Sequence, residues 1–274
     1  MRITLWSIVV TTILLFSACE ERQVVIPDFV PPTSDRVVLL EELSGVRCPN
    51  CPGGAAEIKR LEERYGDNFV AVAYYTEFLG YPLPESRYNF LTDEAEEVED
   101  YLGQYLGKPA AAINRVIRED NTMFNTSTGE WSGFVEEALQ TDSEFNIQGN
   151  SDYDADARSA EVEILVTPIR NLEGDYRLTV MATESKIIDA QLLPGNVIDL
   201  DYEHNHIFRV FLSNLIGDQI TQSLEQSRTL RFNYSFDLEG EWVPENMHIV
   251  AFVEYQEGGR PVDVLQAMEI PVVQ

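Results

Sequence analysis

The chain has 274 residues and sets 47 Asp and Glu against 19 Lys and Arg, a formal net charge of -28. Such acidity repels phosphate backbones and no basic block offsets it, which excludes nucleic acid as a partner. With 44% hydrophobic residues the chain has material for packed cores and is no disordered acidic tail, and its length suits two ordinary domains.

Met1-Arg2 precedes an apolar run from Ile3 to Phe16, closed by the small residues Ser17-Ala18 and then Cys19. This reads as an export leader over residues 1–18, because the apolar part is short for a membrane span. A cysteine directly after small residues resembles the lipobox of bacterial lipoproteins, with Phe16 standing where Leu is usual. The resemblance implies that Cys19 becomes the lipidated first residue and anchors the chain to a membrane. The other reading is ordinary cleavage that leaves Cys19 as a free thiol. Glu20 and Glu21 follow, with no Asp beside the cysteine, so the same resemblance implies the outer membrane, on its periplasmic or its cell-surface face. Residues 19–35, with Pro27, Pro31 and Pro32, read as an extended tether.

Residues 36–141 read as mixed α/β. Val37-Val38-Leu39-Leu40 is a strand; Ala55, Ile58, Leu61 and Tyr65 mark a helix; Phe69 to Tyr74 is a second strand. Between the first strand and the helix lies Arg47-Cys48-Pro49-Asn50-Cys51-Pro52. A cysteine at a helix N-terminus faces unpaired N–H groups and the positive end of the dipole, which lowers its pKa and makes it a nucleophile. Thr76 to Arg87 reads as an irregular loop, and Ala95, Val98, Leu102 and Tyr105 predict a helix over 93–105. Lys108-Pro109 precedes a strand of small residues over 110–117, and Trp131 to Thr141 is a closing helix.

After about Asp142 the apolar period changes to two. Strands are predicted around Val162 to Val166, Tyr176 to Val180, His206 to Leu212, Leu230 to Phe236, Ile249 to Tyr255 and Val264 to Ile270, with Gly-containing turns between several of them. Residues 142–274 therefore read as an all-β sandwich of immunoglobulin-like type.

If Cys19 carries lipid, Cys48 and Cys51 are the only thiols left in an oxidising compartment, free to pair with each other or with a partner protein. A ring this small removes little chain entropy, so the spacing points to redox work more than to stapling.

Around these cysteines the first domain resembles the thioredoxin superfamily. That likeness implies an α/β thioredoxin-like fold and assigns roles to Glu42, six residues before Cys48, and to Pro109 as a cis-proline. Glu42 would handle a proton for the leaving cysteine, and Pro109 would position the partner's backbone. Arg47 stands where Trp is common, and its charge favours a thiolate at Cys48. Ala110 follows the proline where Thr is usual, and Pro49-Asn50 replaces Gly-Pro, so oxidant, isomerase and reductant all stay open. Most of residues 36–274 also resemble the outer-membrane lipoproteins of Bacteroidetes-type bacteria related to outer membrane protein 28. This likeness rests on Leu39 to Pro52, Lys108-Pro109, Asn114-Arg115, Tyr202 to Arg209 and Ile249 to Tyr255.

Together these likenesses imply thiol–disulfide exchange on envelope or surface proteins, with Cys48 attacking, Cys51 resolving and no cofactor. The alternative is a non-enzymatic surface binding or adhesion protein in which the pair is a structural or residual disulfide. His204 and His206 share a strand face and with the two cysteines make four zinc-type ligands, but they fall in different predicted domains and the cysteines favour a disulfide. Asp152, Asp154 and Asp156 have calcium-loop offsets, yet Ala157 stands where that loop needs Gly. Neither a phosphate loop nor a serine nucleophile elbow is present.

Overall fold

The computed structural model describes residues 35–118 and 121–274, which belong to one compact unit. The leader over 1–18, Cys19 and the tether through residue 34 lie outside the described residues.

Strands β1 (Val38–Ser44) and β2 (Phe69–Tyr75) run parallel, joined by helix α1 (Cys51–Tyr65). All seven residues of each strand are buried, as expected of parallel strands covered on both faces. A single turn, α2 (Glu77–Gly80), follows, and then helix α3 (Asp93–Leu102), whose Thr92 side chain accepts from Ala95 N at 3.0 Å and caps its start. Strand β3 (Ala110–Ile113) extends the sheet antiparallel to β1, β4 (Phe124–Asn125) pairs antiparallel with β3, and helix α4 (Thr128–Ala138) returns across them. On one face Val38, Leu40, Ala71 and Ile113 pack with Ile58 and Leu61 of α1 and Trp131 and Val135 of α4. On the other, Leu39, Leu43, Val70 and Val72 meet Ala95 and Val98 of α3.

The remaining strands are β5 (Phe145–Asp154), β6 (Ser159–Pro168), β7 (Asp175–Glu184), β8 (Ile187–Leu193), β9 (Val197–His204), β10 (Ile207–Phe211), β11 (Asp218–Gln219), β12 (Leu230–Asp237), β13 (Met247–Glu257) and β14 (Arg260–Pro271). One sheet of nine strands runs in the order β14-β13-β7-β10-β2-β1-β3-β4, with β11 on β7. Its two halves meet where β10 lies parallel to β2: Ile207 opposes Ala73, and Ala73 N donates to the carbonyl of His206 at 2.8 Å. A second sheet, β12-β6-β5, packs its alternating apolar face on β7, β13 and β14 through Val162, Ile164, Val166, Leu178, Val180 and Ile249. Strands β8 and β9 form a separate hairpin.

The expected fold class, an α/β thioredoxin-like domain followed by an all-β immunoglobulin-like sandwich, is overturned. Among the described residues strand outweighs helix, 44% against 19%, and the principal sheet mixes parallel and antiparallel pairs. The physical reason lies at β2. Periodicity identifies strands one at a time, but the edge of β2 is taken by β10, more than a hundred residues later in the chain. Phe208, Val250 and Phe252 then bury against the same apolar surface as α3.

Candidate functional site

Cys48 and Cys51 form a disulfide at the start of α1, with Pro52 in the first turn. The preceding loop is tight: Cys48 N donates to Gly45 O at 3.0 Å, and Cys51 N to Cys48 O at 3.2 Å. The hairpin holds this loop from the side. Leu192 N donates to Val46 O at 2.9 Å, and Gln191 Nε2 donates to Cys48 O at 3.0 Å. Asp189 fastens the hairpin in turn, accepting from Arg87 N at 2.8 Å and Tyr88 N at 3.0 Å. Cys48 is 1% exposed and Cys51 3%, so a partner reaches the sulfurs only if this covering moves.

Glu42 lies beneath the helix start. Its carboxyl is buried, and Oε1 has no hydrogen-bond partner among the described residues. Burial, partly offset by the Lys108 charge, pushes its pKa up to about 8. Gly54 makes the close approach possible: a Cβ there would collide with Glu42 Oε1 and come within 2.9 Å of Pro109 Cβ and 3.1 Å of Trp131 Cη2. Its neighbour Glu41 is also buried but points away, into an ion pair with Arg115. Alternation alone places one of the two inward; here both faces of β1 are covered, so both carboxyls are inside.

The Lys108–Pro109 bond is cis, and Pro109 sits against Gly54. Lys108 is buried, paired with Glu99 at 3.7 Å and bonded to Thr76 Oγ1; burial brings its pKa down to about 8 despite the Glu99 and Glu96 charges. Outside the helix start runs a groove of about 310 Å³ lined by Asn50, Gly53, Leu106, Lys108 and Pro109. Arg47 turns an exposed guanidinium to the loop after α2, donating to the carbonyls of Tyr81 at 2.8 Å and Pro82 at 2.5 Å.

Inside, a cavity of about 650 Å³ opens between α1 and the β8–β9 hairpin, lined among others by Glu42, Cys51, Tyr75, Tyr202, His204 and His206. Tyr75 Oη and His204 Nδ1 are 2.9 Å apart. Burial holds the imidazole of His204 down at about 4, against the pull of Asp189, so the ring is neutral near neutrality. His206 Nε2 pairs with Glu62 of α1 at 3.0 Å. Both histidines thus face one cavity with Cys51, but among the described residues no group of three or more His, Cys, Asp or Glu is placed to hold a metal ion. The calcium-type offsets resolve into a hairpin turn, with Asp154 Oδ1 accepting from Asp156 N at 2.9 Å and Ala157 N at 3.0 Å. Tyr75 carried no signal in the sequence; it enters the site only because β1 and β2 pair in register. Among the described residues no helix is long and apolar enough to cross a membrane.

No curated protein matches the sequence. HBP35 of Porphyromonas gingivalis is similar in structure, with a TM-score of 0.66 at 14% identity over 86% of this chain and 75% of that one. Protein AGR_C_4864 from Agrobacterium tumefaciens gives a TM-score of 0.53 at 12% identity over 87% of this chain and 96% of that one. At such identities the likeness is one of fold alone. A domain of the outer membrane lipoprotein Omp28 from Porphyromonas gingivalis matches at 18% identity over 47% of this chain and 88% of that one, with a TM-score of 0.31. The family model of outer membrane protein Omp28 matches residues 96–272, a stretch that contains His204 and Pro109 but neither Cys48 nor Cys51. With that share of its length matched, the chain belongs to the Omp28 family and is an outer-membrane protein.

Proposed function

We propose that this outer-membrane protein exchanges disulfides with thiol-bearing proteins of the envelope or surface through Cys48 and Cys51. The observation that carries the reading is the Glu42 carboxyl, buried beside a cavity that Cys51 also lines and unpartnered at Oε1. A carboxyl kept out of water without a partner costs stability. A staple has no use for it, whereas a departing thiolate needs a proton at that place. Perturbed acids in clefts mark functional sites often enough to be worth testing.

The chemistry balances without a cofactor. A partner thiolate attacks Cys48 Sγ, the Cys48–Cys51 bond breaks, and Cys51 leaves with the electron pair and takes a proton. A second partner thiol then attacks the mixed disulfide and releases Cys48, so the partner dithiol is oxidised and the chain's pair reduced. In the opposite direction Cys48 attacks a partner disulfide and Cys51 resolves the intermediate. Lipid on Cys19 belongs to the same proposal and would hold the reaction at the membrane surface.

The second reading is a non-enzymatic envelope protein, of binding or adhesion type, with a structural disulfide. The 1% exposure of Cys48 favours it, and so does a family match that speaks for the envelope and leaves out both cysteines. Trapping separates the two. A Cys51→Ala variant of an exchanging protein accumulates partners bound through Cys48, and the wild-type pair comes to equilibrium with a dithiol buffer. No trapped partner, together with a pair that withstands reduction in the folded state, sinks the exchange reading. Labelling with a fatty-acid analogue, lost in Cys19→Ala, checks the anchor.

A further inference from the structure

The parallel register of β1 and β2 sets Glu42 opposite Ala73 and Ser44 opposite Tyr75. Side chains two apart on a strand share a face, so Glu42, Ser44, Ala73 and Tyr75 project together, and all four line the 650 Å³ cavity that also reaches Cys51. The Ser44 hydroxyl lies near enough to the Tyr75 phenol to favour its ionisation, and the Glu42 carboxyl near enough to oppose it. From the far side β9 brings His204, whose Nδ1 meets the Tyr75 hydroxyl at 2.9 Å. Tyr202 lies against the His204 ring, with centroids 4.8 Å apart, and is half-exposed toward the rim, where Lys186 and Glu203 stand in solvent. Asp189 faces His204 from β8, and Lys108 faces Glu42. An acid so enclosed can give up one proton, but to act twice it must be reloaded. The helix start above it is closed by Gly54 and Pro109.

We propose that the cavity is the proton route of the disulfide reaction, with Tyr75 and His204 as positioning residues that pass the proton between Glu42 and solvent. The inference rests on the exchange reading. Glu42 gives its proton to the departing Cys51 thiolate, and a solvent proton returns by way of His204 and the Tyr75 hydroxyl, so neither relay group is consumed. The hydroxyl hands on one proton as it receives another and stays neutral throughout. A neutral imidazole with two nitrogens serves as the relay on the solvent side.

A proton route changes rates and leaves equilibria alone, which gives a readout that a structural role does not share. The rate of reduction of the Cys48–Cys51 disulfide by excess dithiothreitol is measured across pH, normalised to reagent thiolate, together with the reduction potential. Tyr75→Phe and His204→Ala are each expected to slow reduction by about tenfold while the potential stays at the wild-type value. Added imidazole is expected to restore the His204→Ala rate, since the cavity admits a small ring. Folded Tyr75→Phe protein that reacts at the wild-type rate overturns the proton route and leaves the exchange reading standing. A potential that moves with the rate, or a His204→Ala variant that imidazole does not rescue, also overturns it. A wild-type pair that dithiothreitol cannot reduce overturns both readings together.

Discussion

Gly54 on α1 rests directly on the carboxyl of Glu42 on β1, so that even a methyl group at residue 54 overlaps Oε1. The neighbours there are rigid: Pro109 Cβ lies 2.9 Å and Trp131 Cη2 3.1 Å from the position a Cβ would take. Gly54→Ala therefore forces α1 off the sheet and is expected to cost roughly 1–3 kcal/mol by over-packing. Gly133, in α4, has open space where its Cβ would go, and Gly133→Ala should stabilise by about 1 kcal/mol through helix propensity. Urea unfolding of the two variants should show opposite signs. Equal, small effects would mean that α1 does not sit on Glu42 as described.

Glu42 makes stability depend on pH in a definite direction. Its folded pKa is raised from 4.5 to about 8, so between those values the folded chain holds a proton that the unfolded chain has lost. Stability contributed by the protonated form is therefore full below about 4.5 and declines as pH rises through that window, by an amount on the order of a few kcal/mol. Glu42→Gln keeps the shape and removes the titration. Denaturant midpoints across the window should converge at its acid end and separate at its alkaline end, with the variant the more stable. A constant difference at every pH would contradict the buried, titrating carboxyl.

Much of the local structure was legible, and the places where it was not share a cause. Val38 to Leu40 and Phe69 to Tyr75 are continuous apolar runs, and both are strands buried on two faces. Strands β6 and β12 alternate visibly, because one face of each packs in the sandwich core, while β7, β13 and β14 are buried on both faces over much of their length. Strand β5 carries few apolar residues after Ile147 and leaves no period to read, whereas β9 alternates Ile198, Leu200 and Tyr202 with acidic residues but is largely exposed and joins neither large sheet. Strand β8 is broken by a register shift between Asp189 and Gln191. At the site, the cysteine spacing was legible and the covering hairpin was not. Gln191 reaches Cys48 across 143 residues of chain, and pairing over such a separation depends on which edges remain free.

His204 predicts the opposite behaviour in acid. Burial lowers its folded pKa from 6.5 to about 4, so between those values the unfolded chain binds the proton first. Stability present above about 6.5 is lost as pH falls through the window, on the order of 3 kcal/mol in all. His204→Gln loses the hydrogen bond to Tyr75, about 1 kcal/mol at every pH, but its stability should be flatter across the same acid range. Chemical denaturation at several acid pH values checks this. A variant as acid-sensitive as the wild type would place the responsible group elsewhere.

Arg115 ties the strand that carries Glu42 to the second half of the chain. Fully buried, it donates through Nε and one terminal nitrogen to Glu41 of β1, at 2.7 and 2.6 Å, and through the other to Glu254 of β13 at 2.8 Å. Its guanidinium also lies 4.7 Å from the centroid of the Phe252 ring. Arg115→Met leaves two carboxyls without their cation in a dry interior, and breaking such a pair costs about 3–5 kcal/mol. The loss should shrink sharply when Glu41→Leu and Glu254→Leu are added, because the penalty belongs to the stranded charges and not to the missing contact. Thermodynamic cycles over the three positions test this, and additive losses would contradict it.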